Sequence, residues 1–238
     1  MKKAVGMIKG KLYGIGAGPG DPELLTIKAV KAIQKCNVIA VPKTGDSEGI
    51  AFSIIEKYLD KKELLECRFA MDKEIDKRKE SRLIVANHII QFLDDGKDVG
   101  FVTLGDPTTY STYMYIHELI VSHGFGTEII PGITSYTAAA AALGIALCES
   151  EEALMLIPGG HSENIDDLLR CRGNKVIMKS GESLVCILEK LKELGYSDKT
   201  KLAHRVTMNG QRLYASIEEY EKSPEAGYFT LALVKEKR

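Results

Sequence analysis

The chain has no excess of either charge: 32 Lys and Arg stand against 33 Asp and Glu, a formal net charge of −1. No global field then draws it to nucleic acid or to an anionic membrane. Long apolar runs are also missing; the longest are strand-sized or alanine-rich, well short of a membrane span. The lysine-bearing N-terminus lacks the sustained hydrophobic region of a signal peptide, so a cytoplasmic protein is expected. The five cysteines (Cys36, Cys67, Cys148, Cys171, Cys186) are odd in number and scattered, mostly in apolar patterns, which predicts reduced thiols in a core. His88, His117, His123, His161 and His204 never fall at ligand spacing with each other or with a cysteine. No protein-bound metal is therefore predicted, and surface or capping roles are expected for them. Nor is there a Ser/His/Asp or Cys/His nucleophile pattern, an internal repeat or a low-complexity tract.

What the chain does have is Gly and Pro at the ends of strand-like runs. The first such loop is Gly14-Ile15-Gly16-Ala17-Gly18-Pro19-Gly20-Asp21-Pro22-Glu23-Leu24-Leu25-Thr26. The second is Leu104-Gly105-Asp106-Pro107-Thr108-Thr109-Tyr110-Ser111-Thr112-Tyr113. Strand-to-helix turns of this kind bring bare backbone to the carboxyl edge of an α/β sheet, where small ligands bind. The first loop fails as a dinucleotide fingerprint. Whichever Gly begins Gly-x-Gly-x-x-Gly, the last position holds Pro19, Asp21 or Glu23. Proline has no N–H for a phosphate, and an acid repels one. No Gly-Lys-Ser/Thr appears for a P-loop. A third loop, Ile129-Ile130-Pro131-Gly132-Ile133-Thr134-Ser135-Tyr136, leads into the alanine helix 138–142, which Thr134 or Ser135 could cap.

Around these loops the pattern alternates. Strands are expected at Leu12–Gly16, Val38–Val41, Leu64–Phe69, Val99–Thr103 and Gly126–Ile130. Helices are expected at Leu24–Gln34, Ile50–Tyr58, Lys73–Asp94 and Thr108–Ser122. The charge-dense start of the third helix reads as a solvated face. Beyond the alanine helix come strand-like Leu154–Ile157, Lys175–Met178, Lys201–His204, Arg212–Ala215 and Tyr228–Val234, with one clear helix at Leu184–Leu194. The fold class is α/β: two α/β domains, 1–126 and 127–238, the second with a mixed sheet, and a ligand cleft expected between them.

In this order and spacing the three loops resemble the tetrapyrrole methylase family, which transfers methyl from S-adenosylmethionine to carbons of porphyrinoids. The resemblance runs from about Lys11 to Val234. Thr103–Tyr115, with Phe69-Ala70-Met71-Asp72-Lys73 before it, looks like the precorrin-2 C-20 methyltransferase branch of cobalamin biosynthesis, a cytoplasmic homodimer acting on precorrin-2 or cobalt-precorrin-2. The resemblance implies that Pro19 packs near the donor and that Gly105, Asp106 and Thr109 line its methionine and ribose side. Thr134 and Ser135 match a pair that contacts it, and Met178, Ala203 and Thr230 match the adenine walls. Plain N-capping of a helix begun by Pro107 would equally account for Asp106.

One position departs from the family. Related uroporphyrinogen methylases look to carry an Asp base at the end of the second strand, where this chain has Pro42. An electron-rich macrocycle attacking directly would need no such base. Lys43, Tyr110 and Tyr113 remain as residues that orient or polarise substrate, with Lys43 expected to pair with an acid arm. Lys43, Arg68, Lys73, Arg78, Arg82 and Arg205 are the cations placed to meet a substrate rich in carboxylates. Three alternatives stand beside this reading. One is a C-2/C-7 or C-11 methylase of the same family, another a non-catalytic binder of tetrapyrrole or adenosyl ligand. The third, a nicotinamide oxidoreductase, is disfavoured at Pro19.

Overall fold

The computed structural model describes residues 9–43, 49–70, 74–160, 164–225 and 227–236. The expectations placed on Met71, Asp72, Lys73 and His161 lie outside them. β1 (Lys11–Gly16) buries every residue after Lys11. A 3-10 turn at Pro22–Leu24 leads into α1 (Ile27–Lys35), capped by Thr26 Oγ1, which accepts the Ala29 N–H at 3.0 Å. There follow β2 (Val38–Lys43), α2 (Ile50–Ile55), β3 (Glu63–Arg68), α3 (Ile75–Asp94), β4 (Val99–Thr103), α4 (Tyr113–Ser122) and β5 (Gly126–Ile130). The strands form one parallel sheet, β3-β2-β4-β1-β5. Ile15, Ile33, Ile39, Ile54 and Val102 pack on one face; Leu12, Val38, Ile89, Phe101 and Ile116 pack on the other. Burial on both faces is why these strands read as continuous apolar runs and not as alternations.

A second unit begins with α5 (Ser135–Leu143). It continues through β6 (Leu154–Pro158), α6 (Ile165–Arg170), β7 (Asn174–Met178), α7 (Leu184–Glu193), β8 (Thr200–His204), β9 (Arg212–Tyr214), α8 (Ile217–Glu221) and β10 (Thr230–Val234). Its sheet is mixed, β6-β7-β10-β8-β9, with β6 and β7 parallel and β10 antiparallel to both neighbours. Ile157, Ile177, Leu191, Leu202 and Ala232 form the core of one face.

The structure alters four expectations. The chain divides into Met1–Thr134 and Ser135–Arg238, later than the expected boundary after Gly126, because β5 pairs with β1 and so belongs to the first sheet. α4 starts at Tyr113 instead of Thr108, since 106–111 are held as a loop by their own side chains. α6 is a helix the sequence pattern does not predict; its six residues are too short for a helical period to register. Of the cysteines only Cys36 and Cys67 are buried, their thiols pushed up to about 12 by that burial; the other three are exposed.

Candidate functional site

In the first unit β4, β1 and β5 end side by side, and each runs into glycine: Gly105, Gly16 and Gly132. These backbones touch. A Cβ on Gly132 would lie 2.2 Å from the Gly105 carbonyl oxygen and 2.8 Å from Gly16 Cα; one on Gly16 would lie 2.5 Å from Gly132 N. No side chain fits at either place. Gly105 N–H donates to Gly18 O at 2.7 Å, and Gly18 N–H donates to Gly105 O at 3.2 Å. Both residues have the left-handed φ that favours glycine, +73° and +76°. Asp106 closes the arrangement. Its Oδ2 accepts the Gly132 N–H at 2.9 Å, while Oδ1 accepts the Thr108 N–H at 2.8 Å and the Thr108 hydroxyl. Three loops far apart in sequence thus form one body of backbone. On Gly105, in contrast to the packed glycines beside it, a Cβ would meet nothing within 4 Å.

Pro19 is buried beside this clasp, and Thr109 and Thr134 are half-buried. Asp106 caps no helix; both its oxygens hold backbone and hydroxyl of the loops, so its part is to join them. Tyr110 lies 40% exposed with a left-handed φ of 48°, its phenol pushed up by partial burial. Tyr113 is placed in the core, not at the open loop edge. Its side chain is fully buried among Phe101, Ile116 and Ile120, and its ring fills the place a side chain on Gly14 would need, 2.1 Å from the missing Cβ. The same burial drives its phenol well above the ordinary range. Lys43 already has a partner within the chain, Glu66 Oε1 at 2.7 Å.

In the second unit Ser135 opens α5. Met178, Ala203 and Thr230 all lie on the second sheet but do not share a face. In register, Ala232 pairs with both Ile177 and Leu202, so Thr230, two residues away, points to that core face, and Met178 and Ala203 point to the other. The Thr230 hydroxyl instead meets His204 Nδ1 at 2.9 Å. His204 Nε2 lies 3.8 Å from Glu225 Oε2. His204 is therefore neither a surface nor a capping residue; burial pushes its pKa down, opposed by Glu225. Any common wall would have to use Thr230 through its backbone.

Residues 11–221 match the family of Tetrapyrrole (Corrin/Porphyrin) Methylases. The chain belongs to the tetrapyrrole methylases. It is 33% identical over 230 residues to a probable cobalt-precorrin-2 C(20)-methyltransferase of Methanocaldococcus jannaschii, covering 94% of this chain and 96% of that one. It is also 33% identical over 240 residues to a precorrin-2 C(20)-methyltransferase of a Sinorhizobium species, covering 94% and 95%. Its fold matches that of a uroporphyrin-III C-methyl transferase from Thermus thermophilus, solved in complex with S-adenyl homocysteine. The TM-score is 0.70 and the identity 22%, over 95% of this chain and 98% of that one.

In this tetrapyrrole methylase the clasp is open only at the Cα of Gly105, whose N–H and carbonyl are both paired with Gly18. Gly16, the last residue of β1, and Gly132, just beyond β5, stand in the quoted loops but carry no local sign that they touch. The missing signal was strand order, which makes β1 and β5 neighbours. Ser111, also missed, sets the end of the loop: its Oγ bonds Thr103 Oγ1 at 2.9 Å and accepts the Tyr113 N–H at 3.2 Å. Among the described residues no three His, Cys, Asp or Glu side chains gather to hold a metal ion, and no helix is long and apolar enough to cross a membrane.

Proposed function

We infer that this methylase transfers a methyl group to C-20 of precorrin-2 or cobalt-precorrin-2 in cobalamin biosynthesis. The observation that carries the reading is near full-length identity of 33% to two C(20)-methyltransferases. S-adenosylmethionine, the co-substrate, supplies a methyl group already activated on a sulfonium. The chain then has three tasks: holding donor and acceptor in line, excluding water, and leaving the acceptor carbon free to attack. Orientation of this kind is worth up to about 7–11 kcal/mol. A clasp made of backbone serves it well, because main chain anchored from three strands cannot change rotamer.

Gly105, with open space where a side chain would stand, lets the donor come up against its Cα; Pro19, Thr109 and Thr134 flank it in this proposal, and Asp106 fixes the loops from behind. Within the second unit, the residues proposed for adenosyl contact are Ser135, Met178 and Ala203, with the backbone at Thr230. β2 ends in Pro42-Lys43, so that strand brings no carboxylate to take a proton. The C-20 proton is left to water or to a group of the macrocycle after the carbon–carbon bond has formed. A cytoplasmic homodimer belongs to the same proposal, its subunit count testable by light scattering.

The test is turnover. Purified protein is given S-adenosylmethionine with metal-free or cobalt-loaded precorrin-2. Mass spectrometry should find one added methyl, and NMR should place it at C-20 on the preferred substrate. Methylation of precorrin-2 at C-11, or methylation of uroporphyrinogen III at C-2 and C-7 in a parallel assay, would move the chain to another branch of the family. Binding of tetrapyrrole and donor with no S-adenosylhomocysteine formed would make it a binder only.

A further inference from the structure

The carboxyl edge of the first sheet holds a second feature, on the two strands next to the clasp. β2 and β3 run parallel with Val41 opposite Glu66 and Lys43 opposite Arg68. Side chains alternate along a strand and match across a register pair, so Lys43, Glu66 and Arg68 share one face. Their contacts form a bridge. Glu66 Oε1 lies 2.7 Å from Lys43 Nζ, and Glu66 Oε2 lies 3.5 Å from Arg68 Nη2. Each oxygen of one carboxylate thus faces a different cation, as a ligand carboxylate would be held. Lys43, and after it Arg68, keeps the Glu66 carboxyl below its ordinary value. The three charges sum to one positive. All three side chains are reachable from water, Lys43 at 21%, Glu66 at 51% and Arg68 at 66% exposure. β3 is an edge strand, while β2 adjoins β4, whose loop carries Gly105.

We propose that Lys43 and Arg68 form a two-cation seat for an acetate or propionate arm of the substrate, and that Glu66 occupies this seat as an internal stand-in which the arm displaces. This rests on the reading of the substrate as a tetrapyrrole polycarboxylate. Exchange of one carboxylate for another has a consequence that simple pairing lacks. Removing Glu66 should strengthen binding, because the arm no longer competes with it and one negative charge that repels the polyanion is gone. Removing Lys43 from the wild-type chain should cost less than a free charge-assisted bond, because Lys43 gives up Glu66 to take the arm.

The probe is uroporphyrin, a porphyrin bearing only acetate and propionate arms, titrated by fluorescence against the whole protein. The variants are Glu66→Gln, Lys43→Ala, Arg68→Ala and the double variant Glu66→Gln/Lys43→Ala, each checked for folding by circular dichroism. Glu66→Gln should bind roughly 1.5- to fivefold more tightly, the range of exposed ion pairs. Lys43→Ala should weaken binding by about threefold in the wild-type chain. In the Glu66→Gln background the same change should weaken it by roughly ten- to a hundredfold. Unchanged or weaker binding by folded Glu66→Gln, a gain as large without Lys43 as with it, or no binding by any variant would each overturn the seat and leave an ordinary surface pair. Methyl transfer by the wild-type protein is scored separately. Turnover with no effect of Glu66→Gln sinks the seat alone, and a Glu66→Gln gain without turnover sinks only the enzymatic reading.

Discussion

Replacing Gly105 and Gly132 by alanine, one at a time, should separate the binding surface of the clasp from its packing. At Gly105 the new Cβ meets nothing within 4 Å, so the folding cost comes only from the left-handed φ of +73°. That cost is roughly 1–2 kcal/mol. At Gly132 the Cβ would sit 2.2 Å from the Gly105 carbonyl oxygen and 2.8 Å from Gly16 Cα, and both are main chain. Ordinary C···O contacts are about 3.3 Å or more, so one loop must move by about an ångström. Overpacking costs about 1–3 kcal/mol. The same movement pulls the Gly132 N–H from Asp106 Oδ2, now at 2.9 Å, a charge-assisted bond worth about 1.5–3 kcal/mol. Gly132→Ala should therefore lose roughly 3–6 kcal/mol. Urea unfolding gives both stabilities, and calorimetry with S-adenosylhomocysteine gives the affinity. Gly105→Ala should stay folded yet bind at least about tenfold more weakly, equivalent to about 1.4 kcal/mol. A folded Gly105→Ala protein that binds with wild-type affinity would remove this loop from the donor site. A Gly132→Ala protein as stable as Gly105→Ala would show that the clasp yields where it is described as rigid.

Other outcomes follow from the same contacts. Asp106→Asn should cost about 1–3 kcal/mol in urea unfolding, because an amide can offer an acceptor to Gly132 or to Thr108 but turns an N–H toward the other. Tyr113→Phe should leave kcat and KM within about threefold of wild type, whereas Tyr113→Ala should lose about 3–5 kcal/mol of stability by opening a cavity beside Gly14. A large fall in kcat for Tyr113→Phe with stability intact would return this residue to the chemistry. Glu128 accepts from Lys11 and Lys28, both at 2.8 Å, which holds its carboxyl down to about 2 from an ordinary 4.5. The unfolded chain takes up that proton first, so the stabilisation is whole above about pH 4.5 and is lost as pH falls toward about 2. The urea midpoint should drop less between about pH 5 and about pH 3 in Glu128→Gln than in wild type, and an equal drop in both would refute the linkage.

The sequence alone determined what depends on neighbours along the chain. Continuous apolar runs such as Val99–Thr103 marked strands buried on both faces, and Gly-Pro punctuation marked where they stop. Pro19 and Asp21 excluded a phosphate loop without reference to any fold, since a missing N–H and a negative charge are properties of the residues themselves. Strand order was beyond it. Only the β3-β2-β4-β1-β5 sheet makes Gly16, Gly105 and Gly132 neighbours, turns Asp106 from a helix cap into a tie between loops, and draws β5 into the first unit. Tyr113 and Thr230 show the same limit in single side chains. Both stand in motifs that suggest ligand contact, yet one fills the space left by Gly14 and the other bonds His204 on the core face of its sheet. A motif records which groups are close along the chain, and a side chain's partner is decided by sheet register and face, which bring together residues that no local pattern relates.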